Sequence, residues 1–247
     1  MCGITGYLGT KKISKYNIKK TLAILDHRGP DSSGYYESNF NGTNILLIHN
    51  RLKILDLNKR SDQPFEYQGT YLIFNGEIYN YLELKNELYS LGHKFKTSSD
   101  TEVISHAIKE WGLSSFKKFE GMWALIWFDK INKKILVSRD RFGEKPLFFH
   151  KDNDSGIYFS SEIKGIKAIS DKVFEKNFSQ INRYLISGYK SLHKTKETFY
   201  KKIEEFPKGY IYEFNLNRVE KKHRFWKPNF SAKNNFSFNE NCEIIKN

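Results

Sequence analysis

Cys2 follows the initiator methionine in Met1-Cys2-Gly3-Ile4, so removal of Met1 makes it the N-terminal residue. It would then carry a nucleophile and a base together: a thiol, and an α-amine with a pKa of about 7.7–8.0. Only the thiolate attacks efficiently, and an unperturbed thiol has a pKa of about 8.5, so an adjacent proton acceptor decides its reactivity. The segment Cys2-Gly3-Ile4-Thr5-Gly6 is extended, and its glycines leave room around the terminus. Three further islands offer complementary groups. One is His27-Arg28-Gly29-Pro30-Asp31, a turn dense in hydrogen-bonding groups. Another is His49-Asn50-Arg51-Leu52 with Asn75-Gly76-Glu77 downstream, and the last is Ser98-Ser99-Asp100-Thr101-Glu102.

Each island also has a plainer reading. Arg51 could be a surface charge, Asp100 a helix cap, and Asn75-Gly76 a hairpin turn. His27 or His49 could serve as a conventional base for the thiol. The other histidines, His93 and His150 among them, read as structural or exposed. Neither His nor Cys occurs at zinc-ligand spacing, so no metal is expected.

These islands must be positioned by a chain of 247 residues that is 39% hydrophobic and 16% aromatic, enough to bury a large core. Strand patterns fall at 4–8, 45–49, 71–74, 123–128, 135–138, 147–150, 157–160 and 210–214. Helical patterns fall at 14–25, 82–91 and 101–111, with Asp100 placed to cap the third. Many strands with segregated helices predict an α+β layered architecture. The aromatic-rich run at 122–128 reads as core. No apolar run approaches the ~18–20 residues that span a membrane, and no secretory signal precedes Cys2. Two cysteines at opposite ends give no disulfide framework and fit a reducing cytoplasm. The net charge of +13 invites nucleic acid, yet only 8 of the 41 basic residues are Arg. The lysines are scattered in pairs, and Lys with Asn is what A/T-rich codons supply, so no nucleic-acid partner is expected.

Taken together, the islands resemble the glutaminase domain of class II glutamine amidotransferases, and among these the glutamine-hydrolysing asparagine synthetases. Phe74-Asn75-Gly76-Glu77-Ile78-Tyr79-Asn80, Arg139-Asp140-Arg141-Phe142-Gly143-Glu144-Lys145-Pro146-Leu147 and Ser160-Ser161-Glu162-Ile163-Lys164 carry the resemblance, which runs in order from Cys2 to about Trp226. It implies an N-terminal-nucleophile hydrolase fold, a four-layer αββα sandwich with two antiparallel sheets. It further implies that Cys2 attacks the side-chain amide of L-glutamine while its own α-amine shuttles the proton. The Asn75 side chain and the Gly76 backbone N–H would form the oxyanion hole. Arg51 would bind the substrate α-carboxylate and Asp100 its α-ammonium, helped by Glu77. The stretch Leu52, Lys53, Ile54 and Leu55 would add backbone contacts, while Arg28 and Asp31 orient the loop beside Cys2.

The core texture gives out after about Asn215, so residues 2–216 are expected to form the glutaminase domain and 217–247 a linker toward an absent ATP-dependent synthetase domain. In the family that domain carries a Ser-Gly-Gly-x-Asp-Ser loop for ATP pyrophosphate; no such stretch occurs here. ATP and Mg are therefore expected only for the absent part, with no cofactor in this chain. A truncated gene, a split system and a stand-alone glutaminase all fit, and homodimerisation stays open. Aspartate is the default ammonia acceptor. The Arg141–Pro146 text also resembles relatives in surface-polysaccharide pathways, where a sugar acid would be the acceptor.

Overall fold

The computed structural model describes residues 1–189, 195–218, 220–229 and 236–246. Among the described residues, twelve strands form two antiparallel sheets of six. The first contains β1 (Gly3–Gly9), β2 (Ser32–Phe40), β3 (Thr43–Arg51), β8 (Phe148–Asp152), β9 (Gly156–Ser160) and β10 (Glu204–Glu205), in the order β10-β8-β9-β1-β3-β2. The second contains β4 (Phe65–Tyr67), β5 (Thr70–Ile78), β6 (Gly121–Asp129), β7 (Lys134–Arg139), β11 (Tyr210–Asn215) and β12 (Glu220–Arg224), in the order β12-β11-β7-β6-β5-β4. The helices are α1 (Lys15–Leu25), α2 (Tyr81–Ser90), α3 (Asp100–Trp111), α4 (Ser115–Lys118), α5 (Ile163–Ser170), α6 (Phe178–Ser187) and α7 (Phe238–Lys246). Among the described residues, no helix is long and apolar enough to cross a membrane.

Strand periodicity explains the layering. On β6, Ala124, Ile126 and Phe128 join Ile4, Leu8 and Leu47 in a core between the two sheets. Trp123, Leu125 and Trp127 point the other way and meet Leu84 and Leu88 of α2 and Val103, Ile104 and Ala107 of α3. A strand apolar on both faces at period two must be buried on both faces. On the far side, Tyr7 and Ile48 pack with Ile18 of α1 and Ile166 of α5. The order of layers is thus helix, sheet, sheet, helix, the αββα sandwich that the resemblance implied. Gly6 keeps the two sheets close, because a Cβ there would strike the Ile126 side chain.

All eight expected strands and three expected helices appear, with ends shifted by a few residues. One expected cap is corrected: Ser99, not Asp100, caps α3, its hydroxyl accepting from Thr101 N at 3.2 Å. Asp100 is the first helical residue instead. The sheet also continues past residue 216. β12 pairs with β11 over five residues, Phe225 stacks on Trp123 at 5.6 Å, and Trp226 meets Phe142 at 4.9 Å. The strand Glu220-Lys221-Lys222-His223-Arg224 is polar because it forms a sheet edge, so apolar texture could not reveal it.

Candidate active site

Cys2 lies immediately before β1, a central strand flanked by β3 and β9. Its neighbourhood is tied on both sides. Arg28 Nε donates to the Cys2 carbonyl at 3.0 Å, and Arg28 Nη1 reaches Glu162 Oε1 at 3.0 Å. Ser161 brackets Ile4, two residues on, its hydroxyl accepting from Ile4 N at 3.0 Å and its N–H donating to Ile4 O at 2.9 Å. The His27–Asp31 turn and the Ser160–Lys164 motif therefore act on the start of β1. Asp31 holds the segment after β3, where its carboxylate accepts from Lys53 N at 2.7 Å.

The thiol faces the segment after β3. Leu52 N donates to Cys2 Sγ at 3.4 Å, and Sγ lies 3.7 Å from Leu52 O. Burial pushes the Cys2 thiol up, while the Leu52 amide, the N-terminal ammonium and Arg51 pull it down. Burial wins, so the thiol needs a proton acceptor. The histidines do not supply one. His49 is fully buried, its Nε2 donates to Phe74 O at 3.1 Å, and burial lowers it to about 4. His27 pairs with Glu162 at 2.8 Å, and neither ring lines the cavity beside Cys2.

That cavity measures about 90 Å³. It gathers Met1, Cys2, Arg51, Leu52, Ile54 and Leu55 from the N-terminus, the end of β3 and the segment after it, and Asn75, Gly76, Glu77 and Asp100 from β5 and α3. Lys53 does not line it; its part is the backbone bond to Asp31. Gln63, Met122 and Lys145 also line the cavity, and sequence reasoning passed over all three. Lys145 lay within a quoted motif, so its neighbours could have signalled it; Gln63 and Met122 carried no signal.

β5 and β6 place the candidate oxyanion donors. Asn75 pairs with Ala124 and Gly76 with Trp123 in register. A Cβ at Gly76 would collide with the Met122 carbonyl oxygen, so only glycine fits this close backbone crossing. Asn75 is 1% exposed, and its Nδ2 is buried with no hydrogen-bond partner. Most buried polar groups are satisfied, so an orphaned amide donor facing a thiol cavity calls for an explanation.

Two carboxylates, Glu77 and Asp100, line the same cavity. Asp100 is buried, accepts from Ile78 N at 3.1 Å, and is pushed up to about 7 by burial, with Glu77 adding to the rise. Burial likewise pushes Glu77 up, while Lys145 pulls it down. Two acids whose ionisation is resisted form a site that gains from an incoming cation. Arg51 departs from the simplest expectation. Its Nη1 donates to Asn58 O at 3.1 Å and Asp62 Oδ1 at 2.7 Å, and its Nη2 to Leu55 O at 3.0 Å and Asp56 O at 2.6 Å. Arg51 thus pins the loop after β3, and a substrate carboxylate must replace one of these acceptors to reach either terminal nitrogen.

Residues 1–226 match the family model described as a glutamine amidotransferase domain. The chain is 38% identical over 208 residues to a putative glutamine-hydrolyzing asparagine synthetase 2 of Methanocaldococcus jannaschii, covering 76% of this chain and 40% of that protein. It is 33% identical over 211 residues to glutamine-hydrolyzing asparagine synthetase 1 of Bacillus subtilis, covering 83% of this chain and 32% of that protein. The chain thus spans well under half the length of these relatives. Among solved structures, the B. subtilis glutamine phosphoribosylpyrophosphate amidotransferase superposes with a TM-score of 0.66 at 20% identity, covering 92% of this chain and 50% of that one. That likeness shows the shared N-terminal-nucleophile fold. By its sequence and its architecture, this chain belongs to the glutamine amidotransferase domain family.

Proposed function

We propose that this chain is the glutaminase part of a glutamine-hydrolysing asparagine synthetase. Loss of Met1 frees the α-amine of Cys2, which takes the thiol proton. The thiolate attacks the side-chain amide carbon of L-glutamine, and Asn75 Nδ2 with Gly76 N–H receives the oxyanion. The same nitrogen returns the proton to the departing ammonia, and water then hydrolyses the γ-glutamyl thioester to glutamate. Glu77 and Asp100 hold the α-ammonium, and the α-carboxylate displaces an acceptor on Arg51. Arg28 holds Cys2 and Asp31 the segment after β3 in place. An ATP-dependent synthetase part would use the ammonia to amidate aspartate, and its ATP and Mg would be bound there, not in this chain.

The observation that carries this reading is the orphaned Asn75 amide, buried in the same cavity as the Cys2 thiol. Purified protein given L-glutamine releases glutamate and ammonia in equal amounts; no release from protein lacking Met1 overturns the reading. The pH dependence of the same assay tests the carboxylate end. Asp100 is half-protonated near pH 7 without substrate, and a bound ammonium favours its ionised form. Glutamine affinity therefore rises with pH toward neutrality, by up to about tenfold per unit below pH 7, and levels off above it. Asp100→Asn raises KM by about 10- to 100-fold, the ~1.5–3 kcal/mol of a hydrogen bond to a charged group. It leaves the rate of thiol alkylation unchanged. An unaltered KM assigns Asp100 to the helix terminus alone.

A further inference from the structure

Lys145 lines the cavity that holds Cys2, Glu77 and Asp100, and it is only 7% exposed. Among the described residues, its ammonium has neither a hydrogen-bond acceptor nor an ion-pair partner within 4.0 Å. A lysine whose stem is largely buried and whose ammonium opens on the cavity without a partner is placed to answer a charge there. The chain goes to some length to hold it. The Asp140 carboxylate accepts from Trp123 N at 3.2 Å, Phe142 N at 2.9 Å, Gly143 N at 2.6 Å, Glu144 N at 3.0 Å and Lys145 N at 3.1 Å. Arg139 Nε donates to Lys145 O at 2.7 Å and Nη2 to Gly143 O at 2.6 Å. The Arg139–Pro146 motif is therefore a turn wound on two side chains, with both backbone groups of Lys145 fastened. It fixes the backbone that carries the Lys145 side chain to the cavity wall.

Charge balance says what this ammonium answers. The titratable and charged groups facing the cavity are the N-terminal amine, Cys2, Arg51, Glu77, Asp100 and Lys145, and the amine must be neutral to take the thiol proton. Arg51 is already neutralised by Asp62. That leaves two carboxylates and one lysine, which with both acids ionised is a net of one negative charge for one incoming α-ammonium. Without the lysine, two like charges in a buried site would drive one carboxyl to keep its proton.

We propose that Lys145 is a positioning residue of the glutamine site: its ammonium at the cavity keeps Glu77 ionised, so that Glu77 and Asp100 together hold the substrate α-ammonium. This deepens the glutaminase reading and rests on it. The consequence is selectivity for a free α-amino acid over an N-acylated or deaminated amide.

The test has two readouts. The first needs no activity: the Glu77 carboxyl is titrated by carbon NMR in the full chain, assigned by its loss in Glu77→Gln. Lys145→Met shifts that titration upward by about one unit or more, whereas Lys145→Arg leaves it in place. The second is kinetic. Lys145→Met raises the glutamine KM about tenfold at neutral pH, with the deficit shrinking as pH rises, and Lys145→Arg restores the wild-type profile. In a Glu77→Gln background, Lys145→Met adds nothing further. A Glu77 titration unmoved in Lys145→Met overturns the proposal, as does a KM deficit that is the same at every pH. Should Lys145→Met fail to fold, Lys145→Gln carries the same comparison. Failure of the glutaminase reading looks different: wild-type protein releases no glutamate, whatever the Glu77 titration shows.

Discussion

Cys2→Ala abolishes glutamate release, lowering it by on the order of 10⁴-fold or more, because Cys2 carries the only thiol that lines the cavity among the described residues. The lost atom is one sulfur whose hydrogen-bonding contacts are with the Leu52 backbone, and β1 is fixed independently by Arg28 and Ser161. The variant should therefore melt within a few degrees of wild type. Equal glutamate release from both proteins rejects the thiol mechanism. Glutamine binding is expected to survive, since the groups assigned to the two ends of the amino acid are untouched. Isothermal titration of Cys2→Ala with glutamine separates binding from chemistry in one measurement.

Asn75→Ala lowers kcat by about 10²–10³, the ~2.7–4 kcal/mol of one oxyanion donor, with KM nearly unchanged. The structure adds a stability signature to this loss. The Asn75 Nδ2 is buried without a partner, and a buried unsatisfied donor costs the folded state about 1–3 kcal/mol. Removing it cannot break a hydrogen bond in the free protein, so the melting temperature holds or rises while catalysis falls. A variant with wild-type kcat and a lowered melting temperature would instead give Asn75 a purely structural role. Gly76 offers no comparable substitution, because any Cβ there strikes the Met122 backbone and disturbs β5 and β6 together.

The sandwich was legible where burial is two-sided. Runs such as Trp123–Phe128 are apolar on both faces, and each face found its own core. Edge strands were not legible. β2, with the sequence Ser-Ser-Gly-Tyr-Tyr-Glu-Ser-Asn-Phe, alternates between partly buried and exposed, and β12 is almost wholly polar. Strands of that kind are specified by the neighbour they pair with, through backbone bonds that leave no mark on composition. α6 escaped notice for a related reason: Phe178, Leu185 and Ile186 are exposed, so its apolar residues do not report a packed face.

The site divides in the same way. Cys2 announced itself through chemistry carried by one residue at one position. Asn75, Arg51 and Asp100 are ordinary residues in a linear reading, and only family resemblance picked them out; the fold then brought them to one cavity from β5, β3 and α3. What no linear reading could supply is each group's partners. Arg51 turned out to be engaged by four acceptors in the loop that follows it, whereas Lys145 has none among the described residues. Asp100 gave up its expected capping duty to Ser99, leaving its carboxylate for the Ile78 amide and the cavity.

The central claim is that the reacting sulfur belongs to the first residue of the working protein. Intact-mass spectrometry of the glutamate-releasing fraction tests it directly. The active species is predicted to lack Met1, and a variant that blocks removal of Met1 should be folded and inactive. Full glutaminase activity in protein that still carries Met1 would contradict the account, because no free α-amine would then exist on Cys2 to take its proton.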